Sequence, residues 1–202
     1  MAKIGILGGT FNPIHLGHIE LAKQAYQELN LDVVWFMPSK NPPHKDNYQI
    51  ISEKDRTAMV ELAIADYKFF KTSDIELKRE GITYTSYTLE YLHQNYSENE
   101  YYFIVGADSI FNIESWNRPK VLFKLATFVV ACRDNVDYNE LEKHCNYLQL
   151  KYNGQISIIH MDKVDISSSF IRDNIKHNTI FDFNKCLDKK VYDYIKVNKL
   201  YV

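Results

Sequence analysis

The amino-acid sequence predicts an α/β protein built on a doubly wound parallel sheet, with helices on both faces and a small helical extension at residues 178–202 packed on it. Three observations carry that prediction. Short apolar runs of strand length alternate with longer amphipathic stretches of helix length. Turn-forming or polar segments follow the runs that end at Leu7, Met37, Val105 and His160, the edge at which such sheets gather their ligand loops. The 202 residues are 46% apolar and 25% charged, ordinary usage and length enough for one domain over 1–202 with its own core.

The elements follow in order. Residues 4–7 form a buried strand and 16–30 an amphipathic helix. Residues 33–37 form a second strand, stopped by Pro38. The stretch 39–48 is polar, contains Pro42 and Pro43, and is expected to be a mobile surface loop. A helix is expected at 52–66, with Ser52 as its N-cap and Asp55 at its third position, an acidic variant of the capping box. Residues 69–77 are expected as a strand, 85–95 as a helix, 101–105 as a strand ending at Gly106, and 126–132 as a strand. Residues 138–150 complete the pattern as a helix, 156–160 as a strand, and 168–176 and 187–196 as helices.

Composition removes several functional classes. Lys plus Arg number 24 against 26 for Asp plus Glu, a net charge of −2, which argues against a dedicated nucleic-acid binder. The 15 tyrosines are spread along the chain, as core and half-buried surface groups would be. Cys132, Cys145 and Cys186 form neither a CxxC pair nor a disulfide framework, which fits a reducing cytoplasm. No signal-peptide pattern opens the chain, and no apolar run approaches a membrane span. The expectation is a cytoplasmic protein with no nucleic-acid or membrane partner; a homo-oligomer stays open.

The segment Gly8 to His18, GGTFNPIHLGH, is the strongest chemical signal. Gly8 and Gly9 allow a sharp turn off the first strand and close approach of a ligand, and Pro13 stiffens the turn. His15 and His18 are three apart and share a side if a helix starts near Leu16. A helix N-terminus offers unpaired N–H groups and a partial positive charge, so the arrangement suits a phosphate flanked by two imidazoles. A zinc pair is the rival reading, but no nearby Cys or third His completes it.

Four further segments fall at the same edge. PSKNPPHK, after the second strand, places Lys40, His44 and Lys45 where they can grip a phosphate or simply be solvated. DISSSFIRDNI offers Ser167 or Ser168 as an N-cap, and Ser168 shares a face with Arg172, a side chain that can hold phosphate oxygens bidentately. GADSIFNIESWNRP puts Asp108 just past a strand end, within reach of ribose hydroxyls or acting as a cap, and Trp116 in the following loop, stacking on a flat ring or packing in the core. GITYTSYT places hydroxyls and free amides ahead of a helix, where they can meet a small carboxylate or phosphate or act only as caps.

GGTFNPIHLGH resembles the HxGH signature of the nucleotidyltransferase superfamily. Together with PSKNPPHK, TYTSYTL, GADSIFNIESW and DISSSFIRDNI, in that order over residues 8 to 175, the chain resembles the bacterial nicotinate-nucleotide adenylyltransferases. The resemblance implies a Rossmann-like fold and adenylyl transfer from ATP to nicotinate mononucleotide, giving deamido-NAD and pyrophosphate, with magnesium carried by ATP and no dedicated protein metal site. It implies that His18, His15, Arg172 and Lys45 are catalytic. Gly8, Gly9, Thr10, Phe11, His15, His18, Gly106, Asp108, Ser167, Ser168 and Arg172 would bind ATP. Asn12, Lys40, His44, Tyr84, Thr85, Ser86 and Trp116 would bind the mononucleotide, and Arg133 would lie near the adenine. Asn12 stands where many members carry Asp, and Ser169 where Thr is frequent.

The reaction so implied needs no general base, because the attacking phosphate is already a nucleophile; positioning and charge neutralisation suffice. Three alternatives remain. Phosphopantetheine adenylyltransferases share the first and last motifs but are shorter and lack the PPHK and TYT strings. A nicotinamide mononucleotide preference depends on whether residues 81–88 favour a carboxylate. A nucleotide-sensing module would not require the histidines and Arg172, which are intact.

Overall fold

The computed structural model describes residues 1–40, 50–133, 137–161 and 166–202, with only the backbone of Arg133. Six strands form one parallel sheet in the order β3-β2-β1-β4-β5-β6: β1 (Lys3–Gly9), β2 (Val33–Pro38), β3 (Phe70–Thr72), β4 (Glu100–Gly106), β5 (Thr127–Arg133) and β6 (Ile156–Met161). The chain winds outward from β1 in one direction and returns through β4 in the other, so the order reverses between β1 and β4. Ligands of such sheets sit at that reversal, outside the carboxyl ends of the strands. The expected doubly wound sheet is therefore the observed one.

Alternate strand residues feed two cores. On one face Leu7, Val34, Phe36, Val129 and Ala131 pack with α1 (Leu16–Glu28), α2 (Glu53–Ile64), α7 (Ser168–Lys176) and α8 (Lys189–Val197). On the other, Ile4, Ile6, Phe103, Phe128 and Val130 pack with α3 (Thr85–Asn95), α4 (Ala107–Phe111), α5 (Pro119–Leu125) and α6 (Tyr138–Tyr152). Residues 178–202 join the first face: Phe183, Leu187, Val191 and Ile195 are buried there, and the Cys186 carbonyl accepts the Leu16 N–H at 2.8 Å.

Helix ends follow their capping chemistry. Ser52 Oγ accepts the Asp55 N–H at 3.1 Å, the expected N-cap, but Asp55 Oδ2 accepts the Ser52 hydroxyl at 2.6 Å where a capping box would have it accept the Ser52 backbone N–H. α1 stops at Glu28, two residues before the expected end, because Asn30 turns left-handed (φ 49°) and Leu31 N–H bonds back to Tyr26.

Three expectations need correction. The strand expected at 69–77 covers only Phe70–Thr72; beyond it Lys78 N–H reaches the Asp74 carbonyl, a helical turn, so the apolar residues at 75 and 77 do not extend the ladder. Residues 106–119, expected as a loop, contain α4 and a single 3-10 turn at Ile113–Ser115, and α5 follows at once, opened by Pro119 at its first position. These helices are too short for a hydrophobic period to show. Gly8 and Gly9 lie inside β1, paired with Met37 and Pro38; the sharp turn comes later, at Phe11, which is left-handed (φ 47°).

Gly154, ahead of β6, marks a close approach. A Cβ there would stand 2.6 Å from Phe123 Cβ in the second core. Gly154→Ala is expected to destabilise the protein by about 1–3 kcal/mol through overpacking. It should appear as a fall in Tm of about 2–4 °C per kcal/mol with turnover at low temperature retained; an unchanged Tm would mean that the 153–155 turn shifts without cost.

Candidate active site

The site is built on the turn from Thr10 to Pro13, three of whose four carbonyl oxygens accept hydrogen bonds from side chains of distant elements. Thr10 O accepts Arg56 Nη1 at 2.7 Å, Asn12 O accepts Arg172 Nη1 at 2.8 Å, and Pro13 O accepts Ser168 Oγ at 2.8 Å. Arg56 also donates to Ser39 O at 2.8 Å, tying the end of β2 to the same turn, and the Ser39 N–H bonds to Gly9 O at 2.9 Å. Three remote segments thereby hold one loop in one shape.

Arg56 is 1% exposed, and burial pulls its guanidinium below the ordinary value, with Glu53 opposing. Sequence reasoning missed it. A signal was available: position 56 lies on the same helical stripe as Met59, Val60, Ala63 and Ile64, the buried face of α2. An arginine on an apolar stripe needs oxygen partners, and the turn supplies them.

The two histidines fall as their spacing implies. His15 is the N-cap of α1, buried, and His18 is its third residue, half-buried, with ring centroids 3.7 Å apart. The His15 N–H donates to His18 Nδ1 at 3.2 Å. A ring that accepts at Nδ1 in its neutral form carries its proton on Nε2, so the contact sets both the tautomer and the ring direction. The Phe11 ring meets His18 edge-on at 5.1 Å.

The start of α7 arrives beside this turn. Ser167 is its N-cap and accepts the Phe170 N–H at 3.1 Å; it is exposed, while Ser168 is half-buried and spends its hydroxyl proton on Pro13. Arg172, one turn on, is half-buried. Two helix N-termini, α1 and α7, and one guanidinium thus meet at the ends of β1 and β6.

A second group lies across the β1–β4 boundary. Tyr84 is the N-cap of α3, Thr85 its first residue, and both are half-buried. Ser86 is fully buried and donates to Asn117 Oδ1 at 2.7 Å, which joins this segment to the one carrying Trp116. Trp116 is half-buried and meets Phe103 edge-on at 6.2 Å, and Phe103 lies beneath Gly8, where a Cβ would stand 3.4 Å from its ring. The guanidiniums of Arg79 and Arg118 lie 5.9 and 5.7 Å from the Tyr87 ring centroid, and Arg118 grips Glu90 with two bonds of 2.8 Å. Asn117 and this clamp were not foreseen.

Other expected residues are more loosely gathered. Gly106 is the N-cap of α4 and Asp108 is exposed in its first turn. Lys40 follows Ser39 and is half-buried. His44, Lys45 and the side chain of Arg133 lie outside the described residues. Among the described residues no three His, Cys, Asp or Glu side chains converge as a cation site. An open groove of about 770 Å³ beside Phe123, Tyr152 and Lys124 lies at the opposite, N-terminal edge of the strands and shares no residue with the site.

Comparison with known proteins identifies the class. The sequence model of the cytidylyltransferase-like family matches residues 6–174. A probable nicotinate-nucleotide adenylyltransferase of Lachnoclostridium phytofermentans is 41% identical over 176 residues, 87% of this chain and 88% of that one. Another, of Clostridium perfringens strain 13, is 40% identical over 201 residues, 100% of this chain and 98% of that one. The nicotinic acid mononucleotide adenylyltransferase of Plasmodium falciparum, solved with NaAD, superposes over 100% of this chain and 98% of its own with a TM-score of 0.83 at 22% identity, a likeness of fold. The chain belongs to the cytidylyltransferase-like nucleotidyltransferases and, within them, to the nicotinate-nucleotide adenylyltransferase family.

Beneath the α3 start, burial pushes the Glu76 carboxyl up to about 7, with the Thr88 hydroxyl bond at 2.9 Å and the Arg79 charge opposing. An acid raised on folding from 4.5 to about 7 contributes stability that is full below the unfolded value and lost as pH rises through about 7. The loss is at most about 3 kcal/mol. Glu76→Gln keeps the acceptor for Thr88 and cannot ionise. Its stability relative to the parent should therefore rise by about 1–3 kcal/mol between about pH 4 and pH 8 in urea unfolding; a constant difference would remove Glu76 from the pH dependence.

Proposed function

We propose that the protein transfers the adenylyl group of ATP to nicotinate mononucleotide, forming deamido-NAD and releasing pyrophosphate. The observation that carries this reading is the joint between the His15–His18 turn and the start of α7, made through Ser168 and Arg172. It brings together two helix N-termini, two imidazoles and an arginine, the groups that suit a polyphosphate. The family relationship supports the choice of substrates.

In this reading a phosphate oxygen of the mononucleotide attacks the α-phosphorus of ATP. The new P–O bond forms in line with the bond to the β-phosphate, which breaks and leaves with pyrophosphate. No proton must move, because attacking and leaving groups are both phosphate oxygens. His18 Nε2–H and His15 meet the α-phosphate, where charge builds. Ser167, Arg172 and the α7 amides receive the departing β- and γ-phosphates, while Ser168, its hydroxyl committed to the Pro13 carbonyl, holds the turn in place rather than meeting phosphate. The family resemblance assigns Lys45 and His44, which lie outside the described residues, to the reacting phosphates. Gly8, Gly9, Thr10 and Phe11 line the phosphate path, and Gly106 and Asp108 take the adenosine ribose. Tyr84 and Thr85 face the nicotinate carboxylate, and Ser86, fully buried and bonded to Asn117, supports them from behind rather than meeting the ligand. Trp116 stacks on the pyridine ring, and Asn12 and Lys40 take the acceptor phosphate. Magnesium would enter with the triphosphate rather than on a dedicated protein cage, and would there supply charge neutralisation.

The direct test offers ATP and magnesium with nicotinate mononucleotide, nicotinamide mononucleotide or phosphopantetheine and measures pyrophosphate. Preference for the first is expected; preference for either of the others would overturn the acceptor assignment. His18→Ala should lower kcat by about 10²–10³-fold, the usual cost of one donor at a developing charge, with ATP affinity largely kept in calorimetry. Near-wild-type turnover would remove His18 from the mechanism. Trp116→Ala should raise KM for the mononucleotide by about fivefold to tenfold, a stacking contribution of about 1 kcal/mol, and KM for ATP by less. Equal effects on both would reduce Trp116 to packing against Phe103.

A further inference from the structure

Tyr201, beyond α8, carries no recognisable motif, yet its side chain reaches the catalytic turn. Its hydroxyl donates to Asn12 Oδ1 at 2.9 Å, a contact spanning 189 positions of sequence. The Ile51 N–H, a group that can only donate, meets the same atom at 3.4 Å. The atom is therefore the amide oxygen, and the phenol must be the donor. Burial holds the Tyr201 phenol above its ordinary value, with Arg172 and Arg56 opposing, so it keeps the proton it donates. The backbone bends to deliver it: Lys199 (φ 50°) and Tyr201 (φ 66°) are both left-handed. A bulky aromatic residue holds that conformation only where its surroundings impose it.

We propose that Tyr201 is a positioning residue of the active site, its hydroxyl fixing the Asn12 amide in the orientation that receives the acceptor mononucleotide. This rests on the functional reading above, which places Asn12 on the acceptor phosphate. Two donors on Oδ1 determine which way the amide faces and which rotamer it holds. The Asn12 carbonyl is separately pinned by Arg172, so the hydroxyl acts on the side chain while the backbone is held from the other side.

The alternative is that Tyr201 merely anchors α8. Tyr194 provides the control: its hydroxyl donates to Asp55 Oδ1 at 2.9 Å, docking α8 on α2 without touching the turn. Steady-state pyrophosphate release and thermal unfolding are measured for the parent, Tyr201→Phe and Tyr194→Phe. Expected for Tyr201→Phe is a kcat/KM for nicotinate mononucleotide about tenfold lower, with KM for ATP within about twofold. Tyr194→Phe is expected to shift Tm by a similar amount to Tyr201→Phe, with kinetics within about twofold of the parent. Tyr201→Phe kinetics matching the parent, or Tyr194→Phe reproducing the loss, would overturn the proposal. A parent that releases no pyrophosphate with this acceptor overturns the functional reading and the proposal with it; an active parent with an unchanged Tyr201→Phe overturns the proposal alone.

Discussion

Thr10, Asn12 and Pro13 turn their carbonyl oxygens toward Arg56, Arg172 and Ser168, and the site depends on that capture. A trans peptide is planar, with its N–H opposite its C=O. Pulling the Thr10 and Pro13 oxygens inward therefore leaves the Phe11 and Ile14 N–H groups on the other side of the turn. Burying a guanidinium costs several kcal/mol unless its protons are taken up, and removing it would orphan carbonyls that now have partners. Arg56 and the turn are thus each stable only in the presence of the other.

The sheet delivers the partners to that turn. Because β1 and β2 pair in register to Gly9 and Pro38, Ser39 emerges beside Thr10, and one guanidinium can bridge both carbonyls. Because β4 is the other neighbour of β1, Phe103 comes to lie under Gly8, and Trp116 packs on Phe103. The reversal of strand order therefore brings the Thr10–Pro13 turn and the Ser86–Asn117 junction to the same carboxyl edge of the sheet. Neither group is near the other in sequence, and no single loop carries both.

How much of this was legible depends on the range of the interaction. The strands, the long helices and the pairing of His15 with His18 follow from local pattern, and α3 and α7 fall at their expected bounds because Ser167 caps one and the TYT segment leads into the other. The short helices α4 and α5 were hidden because five or seven residues hold too little of a 3.6-residue period. Arg56 was half-legible, since its place on an apolar stripe is visible but its carbonyl partners, 46 and 17 residues away, are not. Tyr201 and Asn117 were not legible at all. A tyrosine among 15, or an asparagine in a polar loop, acquires a role only when folding sets it against Asn12 or Ser86.

The same interactions explain why the site is cationic in a protein whose net charge is −2. Bringing two anionic phosphates together is the main obstacle in the proposed reaction, since charge repulsion opposes the approach that the new bond requires. Freely moving lysines would offset that repulsion only after paying the entropy of being held. Here part of the positive field comes from helix N-termini, which cannot move without unfolding, and part from guanidiniums bonded to backbone carbonyls. The ordering is completed when the chain folds, so it need not be repeated at each turnover. That is the condition under which fixed charge lowers a barrier rather than merely binding the substrate.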